Sequence, residues 1–535
     1  MKTKITSKYL VFPINTSKEE KRLKFFSSGK LVYALDIRLD NDTPDFYAYI
    51  EMTPFKNLEL ELVCVPEYEI TFKTAESMDE IPNLYREPRR PSVHFTAKHG
   101  WINDPNGLVY CDGLYHMFYQ YNPAAPLWSN MHWGHAVSSD LVRWTEKDIA
   151  LYPDMLGEMF SGSAFVDKKN VLGLSKDGND AVLLFYTACG RRNLEMDPNM
   201  KSSQCLAVST DNCRTFQKYN GNPIVPPIAP YNRDPKVIYC DELDCFIMAL
   251  YTEEHERGDY SLLASNNLIT WERIYDYHIE GEWEFPDIMK FKGCDGRNKY
   301  ILTSNTDCYI VLEVRNGSFE RIQNPRKTFY CSWNHSPLSF DNVPDGRCIR
   351  AIWETFDKPL TDEGFCGQII ALEYGMEEKD GVYYLHANPL PELESLCKRK
   401  AEEKSLEISE TPYVYTMSEK ACLIEISGEC DTENRLMLEI FGLKLCFDFE
   451  NNEIKYSDEK KCPMNITGEG LSVKILVDKC GFEVFSDGGK SCFYAVSADA
   501  FPDYGKNEIC ISALCGKYRL DTFSVCELGG IFDGN

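Results

Sequence analysis

At 535 residues the chain is too long for one ordinary core, and two or three domains are expected. A charged fraction of 26% and an aromatic fraction of 13% exclude a disordered polymer and fit a globular, β-rich protein. The net charge of −26 offers no basic footprint for nucleic acid and disfavours a polyanionic substrate, so the expected partner is neutral.

Residues 1 to about 85 hold strand-like pieces, "LVYALDIRL", "DFYAYIEM" and "NLELELV", and read as a small β domain without assignable chemistry. An early apolar run, Tyr9 to Ile14, is broken by Pro13 and is too short for a secretion signal. No stretch approaches the roughly 20 apolar residues of a membrane span. The 22 cysteines contain no C-x-x-C pair, so neither a zinc ribbon nor a redox motif is indicated. Reduced thiols, buried as small hydrophobes in a cytoplasmic protein, are the expectation. The turn-rich "YREPRRPS" closes this segment as a boundary.

Residues 90–390 carry a weak internal repeat. "AVSSDLVRW" (136–144), "AVSTDNCRTF" (207–216) and "LASNNLITW" (263–271) share a strand, a Ser, an Asp or Asn turn and a closing aromatic. A second set of distinctive turns stands ahead of or between them: "NDPNG" at 103, "FSGS" at 160, "RDP" at 233 and "EFPD" at 284, with a fifth unit expected near "FYCSW" (329–333). Repeats of roughly 40–50 residues built from four strands are propeller blades, and five are counted here. "NPLPELESLCKRKAEEKS" (388–405) reads as a linker with some helical character. Alternating segments in 405–531, such as "KLCFDFE" and "NEICISAL", predict an antiparallel sandwich. The expected fold is all-β: a small N-terminal β domain (1–85), a five-bladed β-propeller (90–390) and a C-terminal β-sandwich (405–531).

The innermost strands of a propeller face its axis, so residues at equivalent early positions of different blades converge. That would gather Asp104, Asp234 and Glu284 at one mouth. Carboxylates so placed suit glycoside hydrolysis. One attacks the anomeric carbon while another, protonated, donates to the leaving oxygen, and a separation of about 5–5.5 Å gives retention. Their settings differ as that chemistry requires. Asp104, among Asn103, Asn106 and the amides of a Pro-Gly turn, should be an anion. Glu284, between Trp283 and Phe285, should be desolvated and protonated. Asp234, following Arg233, should stay ionised and hold sugar hydroxyls. Any one of 83 acidic residues is usually a solvated surface group, and "NDPNG" alone is usually a turn. The coincidence of position, turn and chemistry in all three singles these out.

The stretch "HFTAKHGWINDPNGLVYCDGLYHMFYQYNP … MHWGHAVSSDLVRWTEKDIALYP … FSGSAF", continued by "NRDPKVIY" and "EWEFPDIMKF", resembles glycoside hydrolase family 32, the β-fructosidases (invertases, levanases, inulinases). The likeness covers about 94–395 closely, and "KILVDKCGFEVFSDGG" is similar to the family's C-terminal sandwich. It implies a five-bladed propeller and a retaining mechanism, with Asp104 as nucleophile, Glu284 as acid/base and Asp234 stabilising the transition state through fructose hydroxyls. It also implies a fructosyl pocket lined by Asn103, Trp101, Gln120, Trp128, Phe160, Ser161 and Arg233. Trp101 and Trp128 read equally as core residues, and His132 and His135 in "MHWGH" as structural histidines. No metal site and no cofactor are expected. The sandwich offers a surface through which the chain could form a homo-oligomer.

The family pattern breaks in places. Phe285 stands where Cys is usual, Thr328 of "KTFYCSWN" where the family tends to have Asp, and "ALEY" where a proline-arginine-glutamate stretch is usual. These departures bear on substrate more than chemistry. The expected activity is retaining hydrolysis of terminal β-D-fructofuranosides in fructo-oligosaccharides, fructan or sucrose. The motif contexts look closer to levanases and exo-inulinases than to sucrose-6-phosphate hydrolases. Sucrose-6-phosphate hydrolysis, fructosyl transfer, a silent sugar-binding propeller and an interaction scaffold are the alternatives.

Overall fold

Two kinds of strand sequence build the molecule. Strands such as "AVLLFYTAC" (Ala181–Cys189) and "CFIMALY" (Cys245–Tyr251) are apolar throughout and buried on both faces. Others, such as "ELELVCV" (Glu59–Val65), alternate and expose every second residue. The structure, a computed structural model, describes residues 1–330, 335–356, 358, 360, 362–429, 435–497 and 506–532. Among them strands predominate and the only helical elements are short 3-10 turns.

The strands from Lys2 to Ala75 form a four-stranded and a three-stranded sheet over a shared core that includes Phe12, Leu23, Phe25, Leu35 and Ile50. That core takes in Ala124 and Ala125 of the following unit, with Leu127 packed against it. The stretch read as a boundary is a fixed strut rather than a loose link. Arg90, 1% exposed, donates from Nη1 to Thr96 Oγ1 (2.7 Å) and to the Ala97 carbonyl (2.6 Å), and from Nε to Glu87 (2.8 Å).

Five sheets of antiparallel strands then follow in chain order. Their first strands are Gly100–Cys111, Glu158–Asp167, Arg233–Cys240, Asp287–Lys292 and Leu338–Ser339. The unit starts expected at 103, 160 and 233 lie within the first three, and that at 284 just before the fourth. Of the expected fifth start, residues 331–333 lie outside the described residues, and the fifth sheet's first strand begins at Leu338.

The internal repeat has a physical basis: it is the turn between third and fourth strands. Ser138, Ser209 and Ser265 each donate from Oγ to the residue two positions on, Asp140, Asp211 and Asn267. Those side chains then accept backbone N–H groups of Arg143, Thr215 and Thr270. Trp144 and Trp271 close two of the turns by donating to the carbonyls of Leu141 and Leu268.

The first strands are tied in succession. Gly162 N donates to Asn106 Oδ1 (3.2 Å) and Val237 N to Ser163 Oγ (3.1 Å), Lys236 Nζ lies 3.8 Å from Asp287 Oδ1, and Ser339 N donates to Asp287 Oδ2 (2.8 Å). The succession returns to its start, where Asp341 N donates to the Leu108 carbonyl and Tyr110 N to the Asp341 carbonyl. Phe365–Cys366 pairs in parallel with Gly100–Trp101, and Phe95 exchanges two backbone hydrogen bonds with Ile369.

The remaining strands form two six-stranded sheets whose inward residues, among them Ile424, Ile475, Leu436 and Ile511, make one apolar cluster. The segment 388–405 departs from its reading as a linker. After a 3-10 turn at Pro391–Leu396 it enters the strand Cys397–Ser409, so the boundary expected at 405 falls inside an element. Its charges line an edge strand paired along Lys517–Leu528, a place where charged side chains guard against further pairing. The cysteine expectation also needs correction. Cys397 and Cys526, on these two strands, are joined as a disulfide, and no other disulfide occurs among the described cysteines. Their separation of 129 residues gave no sequence signal for the pairing.

Candidate active site

Asn103, Asp104, Pro105, Asn106 and Gly107 do not form a turn. They lie inside the strand Gly100–Cys111, whose register against Leu114–Asn122 shifts between Ile102 and Pro105 and again between Asn106 and Val109. Residues that favour turns also suit bulges, which re-aim a side chain. The pattern recurs at the other sites. The strand holding Ser161 shifts register between Phe160 and Gly162, and that holding Asp234 between Arg233 and Lys236. Asp234, Glu284 and Phe285 all have positive φ, of 62°, 32° and 52°. Such backbone is costly for non-glycine residues and clusters at functional sites.

The irregular segments meet. Ser161 Oγ donates to Asp104 Oδ2 at 2.6 Å. Phe285 N donates to Asp234 Oδ2 at 3.1 Å, and Asp234 N to Thr187 Oγ1 at 2.9 Å. Arg233 donates from both Nε and Nη2 to Glu284 Oε2 at 3.1 Å, and its Nε lies 3.7 Å from Asp234 Oδ2. Arg233 also covers the Tyr251 ring at 4.6 Å.

Burial pushes the Glu284 carboxyl above its usual range; Arg233 opposes this and the charge of Asp104 adds to it. This agrees in direction with a protonated acid. For Asp234 the expectation was an ionised group held by Arg233, and the direction is the reverse. Burial raises it well above the usual range, Arg233 opposes, and the charges of Glu284 and Asp104 raise it further. Burial outweighs the neighbouring guanidinium, which also lies closer to Glu284 than to Asp234.

The other expected pocket residues divide. Phe160 and Trp128 meet edge to face at 6.3 Å, and Trp128 is 47% exposed, unlike a core residue. Trp101 donates from Nε1 to Asn103 Oδ1 at 2.9 Å and packs on Trp353, so it braces Asn103 from behind. Gln120 is buried and donates to the Met159 carbonyl at 2.8 Å, anchoring the strand that carries Phe160 and Ser161. His132 bonds Tyr33 and the Asn130 carbonyl, and burial pushes it down to about 3, so it stays neutral. Thr328 is buried and donates to the Leu385 carbonyl. Thr187, Tyr251 and Asn305, which lies beside Glu284, carried no motif and were not expected at the site.

Among the described residues, two groups of potential metal ligands occur, His94–Glu354–Glu483 and Glu256–Asp259–His278. Neither includes a member of the carboxylate trio.

Residues 94–353 match the model of the glycosyl hydrolases family 32 N-terminal domain. The chain is 30% identical over 464 residues to the levanbiose-producing levanase of Bacillus subtilis, covering 77% of this chain and 86% of that one. To the levanase of the same organism it is 27% identical over 500 residues, covering 83% of this chain and 71% of that one. Among solved structures it is similar to the exo-inulinase of Aspergillus awamori, with TM-score 0.72 and 22% identity, over 84% of this chain and 100% of that one.

Proposed function

The chain belongs to glycoside hydrolase family 32, and from that premise we propose that it releases fructose from the non-reducing ends of β-fructans and short fructo-oligosaccharides, and from sucrose, by double displacement. The observation that carries this reading is the meeting of Asp104 in the first sheet, Asp234 in the third and Glu284 just ahead of the fourth, each on distorted backbone. In this reading the five sheets are the blades of a propeller whose first strands surround the site, and the two six-stranded sheets are a sandwich. The succession of ties from first strand to first strand supports it.

Asp104, oriented by the Ser161 hydroxyl, attacks the anomeric carbon as a carboxylate. Glu284 gives its proton to the departing glycosidic oxygen, leaving a fructosyl ester on Asp104. Arg233 then stabilises the carboxylate formed at Glu284. That carboxylate takes a proton from water as the water attacks the anomeric carbon, which frees fructose and restores both residues. Asp234, fixed through its Oδ2 by Phe285 N, is placed to bond fructose hydroxyls.

A neutral substrate is favoured over a phosphorylated one because Arg192, the cation nearest Trp128, is already matched by Glu158 at 2.6 Å and Asp36 at 3.6 Å. In the cytoplasmic setting expected of the chain, its substrates would be those small enough to be imported. Product analysis on sucrose, sucrose-6-phosphate, a short β-2,1 oligosaccharide and a short β-2,6 one tests this. Free fructose from the unphosphorylated substrates is expected. Release from sucrose-6-phosphate alone would contradict the neutral-substrate reading, and no product from any would contradict hydrolysis.

A further inference from the structure

Contacts run outward from the nucleophile to the N-terminal unit. Ser161 holds Asp104, Phe160 precedes it, and the Phe160 ring meets Trp128. Trp128 is half exposed and forms an outer wall of the site. The Arg192 guanidinium lies 5.1 Å from its ring centroid. Arg192 donates to Glu158 Oε2 (2.6 Å) and Ser129 Oγ (3.3 Å), and its Nη2 lies 3.6 Å from Asp36 Oδ2.

Asp36 belongs to the strand Lys30–Ile37 of the N-terminal unit. It is fixed there from several sides. Arg22 Nη1 donates to its Oδ1 at 2.9 Å. Its backbone exchanges two hydrogen bonds of 2.7 Å with the Asn130 amide, two residues past Trp128. Arg22 Nη2 also reaches the carbonyls of Asn193 and Leu194, next to Arg192. Leu127, on the other side of Trp128, packs on the N-terminal core. The segments flanking both Trp128 and Arg192 are thus held by a unit outside the residues that match the family model.

We propose that the N-terminal unit is part of the specificity apparatus. Asp36, supported by Arg22, is a positioning residue. It keeps Arg192 against Trp128 and so shapes the outer wall of the fructosyl pocket, where the terminal unit joins the rest of the substrate. A rigid aromatic face backed by a guanidinium whose charge is already matched suits neutral sugar rings. The inference rests on the proposed β-fructosidase reading.

The test measures KM and kcat on a short fructo-oligosaccharide, and inhibition by free fructose, for wild type and Asp36→Ala. Free fructose fills the terminal pocket, of which Trp128 is one wall. Loss of one partly shielded ion pair should raise KM about fivefold, with kcat within about twofold and fructose inhibition weakened in the same direction. Asp36→Asn keeps the backbone bonds to Asn130 and the side-chain shape, and should shift KM in the same direction should the alanine variant fail to fold. In Trp128→Ala, adding Asp36→Ala should raise KM no further. Lys8→Ala removes an ion pair to Asp148 elsewhere on the same interface and should leave KM unchanged.

Unchanged KM in both Asp36 variants would overturn the proposal. So would the same shift from Lys8→Ala, because it would indicate general loosening. Absence of turnover by wild type on every fructoside would instead overturn the parent reading, and this inference with it.

Discussion

Glu284 stands between opposing influences: burial and the negative charge of Asp104 favour its proton, while Arg233 favours its release. If Glu284 is the acid, kcat/KM should fall on the alkaline side at a pH above the ordinary value of 4.5. Arg233→Met removes the cation that favours the anion, so the alkaline limb should move further up in pH while the maximum rate falls. A pH–rate profile checks this, and a limb that stays in place or moves down would detach Arg233 from the acid. The residue types at 104, 234 and 284 were legible because acids in three recurring positions are rare together. The pairing of Arg233 was not. Positive φ at Asp234 turns its carboxylate toward Phe285 N and leaves the guanidinium to a residue 51 positions away.

The site depends at the scale of elements on strands that break their own register. Gly107 shows how tightly this is built, with φ of +53° and an added Cβ only 2.6 Å from Phe118 and 2.8 Å from Trp133. Gly107→Ala combines backbone strain with overpacking of two rings behind the nucleophile. It should destabilise the protein by about 1–3 kcal/mol and lower activity at temperatures where it remains folded. Denaturant unfolding alongside activity checks this, and a neutral substitution would contradict the packing described. The sequence showed these strands as turns, because Asn, Asp, Pro and Gly serve bulges and turns alike. The Ser-Asp turns between third and fourth strands were legible, since one side chain there both accepts and fixes the following backbone N–H groups.

The units are locked together in the whole molecule by buried charge. His94, ahead of the first sheet, bonds through Nδ1 to Asp478 (2.9 Å) and through Nε2 to Glu483 (3.2 Å), both from the C-terminal sheets. Burial alone would push His94 down, but the Glu483 charge and hydrogen bonds to Asp478 and Glu483 raise it well above 6.5. Asp478 is lowered from 3.8: burial opposes this, and the His94 hydrogen bond and charge with the Ser92 and Val93 N–H groups outweigh it. The His94 contribution is therefore full below its unfolded value and fades as pH rises through its raised folded value. The Asp478 contribution is present above its unfolded value and fades as pH falls through its lowered one. His94→Gln should cost about 3–5 kcal/mol near pH 6, with the deficit shrinking at alkaline pH, as read from unfolding midpoints. A deficit that grew with pH would contradict the imidazolium. Long-range features of this kind were illegible: the His94 lock spans 384 residues, and the edge strand taken for a linker pairs with the far end of the chain. Asp104, presented by a strand bulge, acts as the nucleophile, and the rate of fructose release from Asp104→Asn checks this. Loss of at least about a thousandfold with the wild-type unfolding midpoint is predicted, and release within tenfold of wild type would contradict it.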